Sequence, residues 1–248
     1  MKVGADIPRY QVMASLDLTP AVIVRGYLAD GTSILVQHYV DGRNPSRQDF
    51  CHLLDRIASV VNKVHHSPAL KSILPPGESD TYRDAALAAA RRVQHKWEGC
   101  RALVPAVADY LDDALSCLKQ DIKEFAGSGL VASHNDICNS NWLIAPDGNV
   151  YLVDLEAMSL DDPAHDMGSL LWWYYPPELR PDFLTRAGYE YDEAFRSRMR
   201  ARMALHCLDI LLPRPRSFDR FDPDVFAEEL ADFRAVCAGR ENPQGYAY

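Results

Sequence analysis

No two of the six cysteines stand close enough in sequence to form a metal knuckle. Cys51, Cys100, Cys117, Cys138, Cys207 and Cys237 are scattered and no C-x-x-C occurs. That pattern argues against zinc fingers and disulfide scaffolds and for reduced thiols in a cytoplasmic protein. Positive charge is also in short supply: 26 Lys and Arg face 35 Asp and Glu, for a formal net charge of −9 at pH 7. A general pull on nucleic acid or on an anionic membrane is thereby excluded. The longest apolar run, GSLLWWYY at 168–175, falls far short of the roughly 20 residues that span a bilayer. The segment MKVGADIPRYQ has no apolar stretch of the kind a secretory signal needs. Internal repeats and low-complexity tracts are missing, and so is any G-x-G-x-x-G.

What is present is a folded chain's composition, 48% hydrophobic and 25% charged over 248 residues. The first twenty residues carry a weak helical pattern that Thr19-Pro20 ends. AVIVRGYLADGTSILVQHYVDG (21–42) reads as two strands about the turn Ala29-Asp30-Gly31-Thr32. Ser46 is a good N-cap for a helix whose apolar residues recur at helical spacing from Leu53 to Val64. After a break at ILPPGES (73–79), Ser79 or Asp80 is placed to cap an Ala-rich helix through Trp97. Pro105 opens a further helix that Gly127 and Gly129 stop. Pro146-Asp147-Gly148-Asn149 joins two short strands, and helices follow at about 166–175, 192–212 and 223–238. The expected class is α+β: a small strand-bearing piece over 1–42, then a larger helical piece over 43–248 with one hairpin.

The segment SHNDICNSNWLI (133–144) places His134, Asp136 and Asn141 in a polar stretch ahead of a strand. Thirteen residues after Asn141, Asp154 ends the apolar strand of VYLVDLE. Strand ends and the adjoining loop bring such groups to one point. Magnesium takes oxygen ligands, which Asn141 and Asp154 supply. Asp136 then remains to orient a hydroxyl and accept its proton. Together these are the parts phosphoryl transfer requires, since positioning and charge neutralisation do most of the work.

H-x-D-x-x-x-x-N followed by a strand ending in D-x-E resembles the core of the aminoglycoside phosphotransferase and choline kinase superfamily, small-molecule kinases of protein-kinase-like fold. SLDDPAHDMGSLL (159–171) is similar to the segment that follows the metal-binding Asp there. The resemblance implies Asp136 as catalytic base, His134 and Asp166 as supports of its loop, and Asn141, Asp154 and Glu156 around magnesium. It implies adenine of ATP at the hinge-like Gln37, His38, Tyr39 and Val40. It further implies a small-molecule hydroxyl acceptor such as an aminoglycoside, an aminosugar or a choline-like alcohol. The acceptor pocket would be built by helices within 176–248, with Glu190, Asp192, Glu193, Asp222 and Asp224 either facing a cation or serving as surface charge. Oligomeric state and the choice of ATP or GTP stay open.

A kinase of this fold also needs a glycine-rich loop and a third-strand Lys. The loop motif is not found, and Lys2 reads as too near the terminus to sit in a third strand. On that reading the first three strands of a truncated N-lobe are absent, and 1–42 is a partial N-lobe that exposes apolar strand surface. Two other readings follow. One is a catalytically inactive kinase-like binding or regulatory protein. The other is a metal-dependent phosphohydrolase built on His134, Asp136, His165 and Asp166. The aromatic run 172–175 reads as core rather than as a cation cage, and Arg196, Arg198, Arg200 and Arg202 as a solvated helix face.

Overall fold

The computed structural model describes residues 1–75, 79–212 and 222–246. Part of the expected break at 73–79 therefore lies outside the described residues.

Strand β1 (Lys2–Val3) leads through Gly4 into helix α1 (Ile7–Ser15), which is capped by the Asp6 side chain on the Arg9 amide. Strands β2 (Val22–Tyr27) and β3 (Ser33–Gln37) complete an antiparallel sheet in the order β1-β3-β2. Their turn uses Gly31 at φ 84° and the Asp30 carboxylate, which accepts the Thr32 amide at 2.9 Å. Lys2 pairs with Leu35 and Val3 with Ile34. Lys2 thus sits in a strand where the sequence pattern suggests only a weak helix. Two residues suffice because β3 already offers a free edge, and so short a strand leaves no alternation to read. On β2, Ile23 and Tyr27 are 61% and 70% exposed.

Ser46 caps α2 (Arg47–His52) in a reciprocal box with Asp49, and a break at Leu53 separates it from α3 (Leu54–His65). Helix α4 (Pro68–Ile73) follows. Helix α5 (Tyr82–Cys100) is capped by Thr81, not by Ser79 or Asp80, and α6 (Pro105–Lys123) starts on its proline. Next come the strands β4 (Val131–Ser133), β5 (Trp142–Ile144), β6 (Val150–Leu152) and β7 (Ser159–Asp161). The pairs are β5 with β6 and β4 with β7, the latter closing a long loop that local patterning does not show. Helices α7 (Ala164–Tyr174), α8 (Arg180–Arg186), α9 (Glu193–Leu211) and α10 (Pro223–Cys237) end the described chain.

Two apolar clusters hold these elements. The first joins Tyr10, Met13 and Leu35 to Ile57, Trp142, Leu152 and Met167, so the N-terminal sheet and α1 share a core with α3 and the β5–β6 hairpin. The second packs α5, α6, α9 and α10 through Val93, Trp97, Leu111, Met203 and Phe233. Trp172 and Tyr175 are buried and the Tyr174 ring stacks on Phe50 at 4.2 Å, so the aromatic run is core. The arginine run is not one solvated face. Arg198 and Arg202 are buried and pair with Asp162 and Asp161 at 3.1 and 2.5 Å. No helix among the described residues is long and apolar enough to cross a membrane.

Helices α7 and α9 cross closely at Gly168, where an added Cβ would lie 2.7 Å from the Met199 carbonyl oxygen. Backbone cannot yield as a flexible side chain can. Gly168→Ala is expected to destabilise the chain by about 1–3 kcal/mol. Urea unfolding beside the unaltered chain measures it, and equal midpoints would show that the crossing has slack.

Candidate active site

The loop after β4 is built around one buried carboxylate. Asp166, in the first turn of α7, accepts the His134 amide at 2.7 Å and the Asn135 amide at 2.9 Å, and its Oδ2 also meets His65 Nε2 at 3.0 Å. Burial alone would raise its pKa. The His65 hydrogen bond and the histidine charges around it outweigh that and hold the carboxyl well below the usual range. Asn135 takes a left-handed backbone, φ 63°, which asparagine tolerates better than most residues. Its side-chain amide donates to the Ala157 carbonyl and to Ser159 Oγ at 3.0 and 2.8 Å. The His134 ring is buried, with Nε2 3.1 Å from the Val153 carbonyl. The loop is thus fastened from inside, and Asp136 projects outward, exposed. Asp166 is buried and binds loop partners through both oxygens, which makes it an anchor of the loop.

The β5–β6 hairpin sets the next two groups. Trp142 pairs with Leu152, which puts Asn141 opposite Val153, and the Val153 amide donates to the Asn141 carbonyl at 2.9 Å. Asp154 therefore emerges one residue beyond Asn141's partner. Asn141 donates its Nδ2 to the Asp136 carbonyl and carboxylate at 2.7 and 3.0 Å. Its Oδ1 makes no hydrogen bond among the described residues. Asp154 also holds a left-handed backbone, φ 60°, costly for a residue with a Cβ. The hairpin fixes that conformation and leaves the carboxylate more than half exposed.

Lys2 and Tyr10 complete the cluster. Lys2 Nζ lies 3.0 Å from Glu156 Oε1 and 3.5 Å from Asp154 Oδ1, and the Tyr10 hydroxyl donates to Glu156 Oε1 at 2.8 Å. Burial works against the Lys2 charge, but hydrogen bonds to Tyr10 and Glu156 hold its pKa above the ordinary lysine value. Burial opposes the Glu156 charge too, but hydrogen bonds with Asp154, Tyr10 and Lys2 overcome it and bring Glu156 down to about 2. Asp154 moves the other way, up, chiefly through the neighbouring Glu156 carboxyl. Arg9 pins the segment by donating to the Leu155 and Glu156 carbonyls at 2.6 and 3.0 Å. Sequence reasoning missed Tyr10 and Arg9 altogether. Their one signal was the helical spacing of an unusually polar buried face.

Of the hinge-like residues, Gln37 is engaged elsewhere: its Nε2 donates to the Pro20 carbonyl at 2.8 Å. The His38 amide donates to the Ala21 carbonyl at 2.8 Å. Tyr39 is 80% exposed, and neither its backbone nor that of Val40 is hydrogen-bonded among the described residues. Asp136 opens onto a cavity of about 700 Å³ between α5 and α9. One wall is thus α5, which lies before the 176–248 segment expected to build the pocket. Of the acidic residues expected there, Asp192 caps α9 and Glu193 pairs with Arg196. The Asp224 side chain lies outside the described residues.

A family model described as phosphotransferase enzyme family matches residues 7–206. Among solved structures, a choline/ethanolamine kinase family protein from Mesorhizobium loti superposes with a TM-score of 0.69 at 18% identity, covering 96% of this chain and 80% of that one. The GDP and kanamycin complex of APH(2")-IIia gives 0.67 at 15% identity, covering 93% and 82%. Choline kinase LicA from Streptococcus pneumoniae gives 0.58 at 15%, covering 92% and 78%. These likenesses fix the fold as kinase-like, α+β.

Proposed function

The chain belongs to the phosphotransferase enzyme family, and on that premise we propose that it is a magnesium- and ATP-dependent kinase for a hydroxyl of a small molecule. The observation that carries this reading is the outward Asp136 carboxylate, held beside Asn141 on a loop whose interior is tied to Asp166. In the proposed reaction the acceptor oxygen bonds to the γ-phosphorus of ATP. The bond from that phosphorus to the bridging oxygen breaks and ADP leaves. The hydroxyl proton passes to Asp136.

The donor set suits a hard divalent cation. Asn141 has a free amide oxygen, and Asp154 and Glu156 are crowded enough to raise the Asp154 pKa. Asn141 and Asp154 are the proposed magnesium ligands; the ion, when bound, neutralises phosphate charge. Glu156, expected beside them as a ligand, already receives Lys2 and Tyr10. Its proposed part is to hold Lys2 toward the phosphates. Adenine is proposed against the free backbone of Tyr39 and Val40. Residues 1–42 act as a partial N-lobe above the 43–248 piece, and the six free cysteines suit the cytoplasm.

Against the silent, nucleotide-binding alternative stands Lys2, within reach of the site. Thermal unfolding with magnesium-ATP at about 100 times its dissociation constant is expected to show about 2.7 kcal/mol of stabilisation, a rise of roughly 5–11 °C. Asp154→Ala should abolish that rise. An unchanged rise in the variant removes Asp154 from the metal site, and no rise in either chain defeats the kinase reading. A rise without turnover of any acceptor supports the silent alternative.

A further inference from the structure

The cavity in front of Asp136 has a charge balance that none of the relatives' acceptors suggests. Among its lining residues, two carboxylates are already neutralised. Asp161 pairs with Arg202 at 2.5 Å, and Asp209 with Lys96 at 2.7 Å. Arg91 and Arg92, exposed on α5, also line the cavity and enter no ion pair among the described residues. Arg202 lines it too, 2% exposed, and its Nη1 is buried without a hydrogen-bond partner. The Arg202 charge is matched by Asp161, so Arg91 and Arg92 are the unpaired positive groups among the described lining residues. Among the described lining residues, Asp136 is the carboxylate that pairs with no cation.

The rest of the lining is consistent. No Phe, Tyr or Trp ring borders the cavity among the described residues, so the aromatic faces that attract a quaternary ammonium are not there. His206 is driven down to about 4, chiefly by burial, and is neutral near pH 7. It has no hydrogen-bond partner among the described residues. A neutral imidazole beside paired charges suits hydroxyl groups.

We propose that the acceptor is a hydroxyl compound that carries an anionic group, a carboxylate or a phosphate ester. Arg91 and Arg92 receive the anion while Asp136 receives the hydroxyl. The forked guanidinium matches the planar or tetrahedral oxygens of either anion. This rests on the kinase reading of the same site and narrows its substrate away from aminoglycosides and choline. Bond making and breaking are those given above; the anion supplies orientation only.

The test uses the full chain with magnesium-ATP and six compounds: D-gluconate, glucose 6-phosphate, D-sorbitol, D-glucosamine, choline and kanamycin. Calorimetry measures binding and ADP release measures turnover. Gluconate or glucose 6-phosphate is expected to bind and turn over at least tenfold better than sorbitol and all three cations, and the better of the two tells carboxylate from phosphate. The double variant Arg91→Ala, Arg92→Ala should raise KM for that anion tenfold or more with kcat little moved, and Arg91→Lys, Arg92→Lys should recover part of it. Preference for glucosamine, choline or kanamycin, equal binding of sorbitol and gluconate, or no binding of either anion overturns the proposal and leaves the kinase reading standing. The kinase reading has its own readout, the magnesium-ATP thermal rise, so loss of that rise marks the other failure.

Discussion

Asp136→Asn is expected to lower kcat by about 10²- to 10⁴-fold, the usual worth of a positioned proton acceptor, with magnesium-ATP affinity unchanged. The substitution keeps the size of the side chain and leaves an oxygen for the Asn141 amide, which now donates to the carboxylate at 3.0 Å. It removes only the capacity to take a proton. The loop has no reason to move, because Asp166 grips it through the His134 and Asn135 amides, not through residue 136. Steady-state turnover on a confirmed acceptor and the nucleotide-induced thermal rise measure the two halves separately. Loss of both together would make Asp136 an anchor of the site and not its base.

Asp166→Ala carries the largest expected cost in stability, about 3–5 kcal/mol, the range for removing one partner from a buried charged network. It strands two backbone amides and the His65 ring at once. The effect has a pH signature. The Asp166 carboxyl titrates lower in the folded chain than in the unfolded one. Its stabilisation is therefore complete above the unfolded value of about 3.9 and fades as pH falls toward the folded one. Urea unfolding at pH 7, 5 and 3 should show the gap between variant and unaltered chain narrowing only at the lowest pH. A gap that is constant through pH 3 would mean that packing at α7, not the charge, is what the substitution removes.

How far the sequence could be read depended on the distance over which each element is decided. The apolar stripe of α3, from Ile57 through Val64, and the proline opening α6 are local signals, and the helices formed there. The Asp147 side chain accepts the Asn149 amide at 2.9 Å, the kind of turn its sequence suggests. The Asn141–Asp136 contact and the position of Asp154 one residue past Val153 follow from the short β5–β6 hairpin and the loop before it, a local device that the sequence displays. Elements settled by remote partners were not legible. Arg198 and Arg202 look solvated on α9 until Asp162 and Asp161, some forty residues earlier, bury them. Strand β4 exists because β7 pairs with it. Lys2 left no pattern at all, since β1 has two residues and its pairing partner is 33 positions away. The charge balance of the cavity in front of Asp136 was equally hidden, because it depends on which arginines find carboxylates.

The grip on Lys2 bears on control. Protein kinases gate activity by swinging one helix so that its Glu meets or leaves the strand Lys. Helix α1 of this chain, IPRYQVMAS, holds no acidic residue. The acid that meets Lys2 is Glu156, on the far side of the cleft, next to Asp154. Helix α1 is itself riveted to that segment by Arg9 and Tyr10. A swing of the helix would tear those bonds without offering Lys2 any new partner. The lever by which signalling kinases are turned on and off has no counterpart in the contacts that α1 and Lys2 make here.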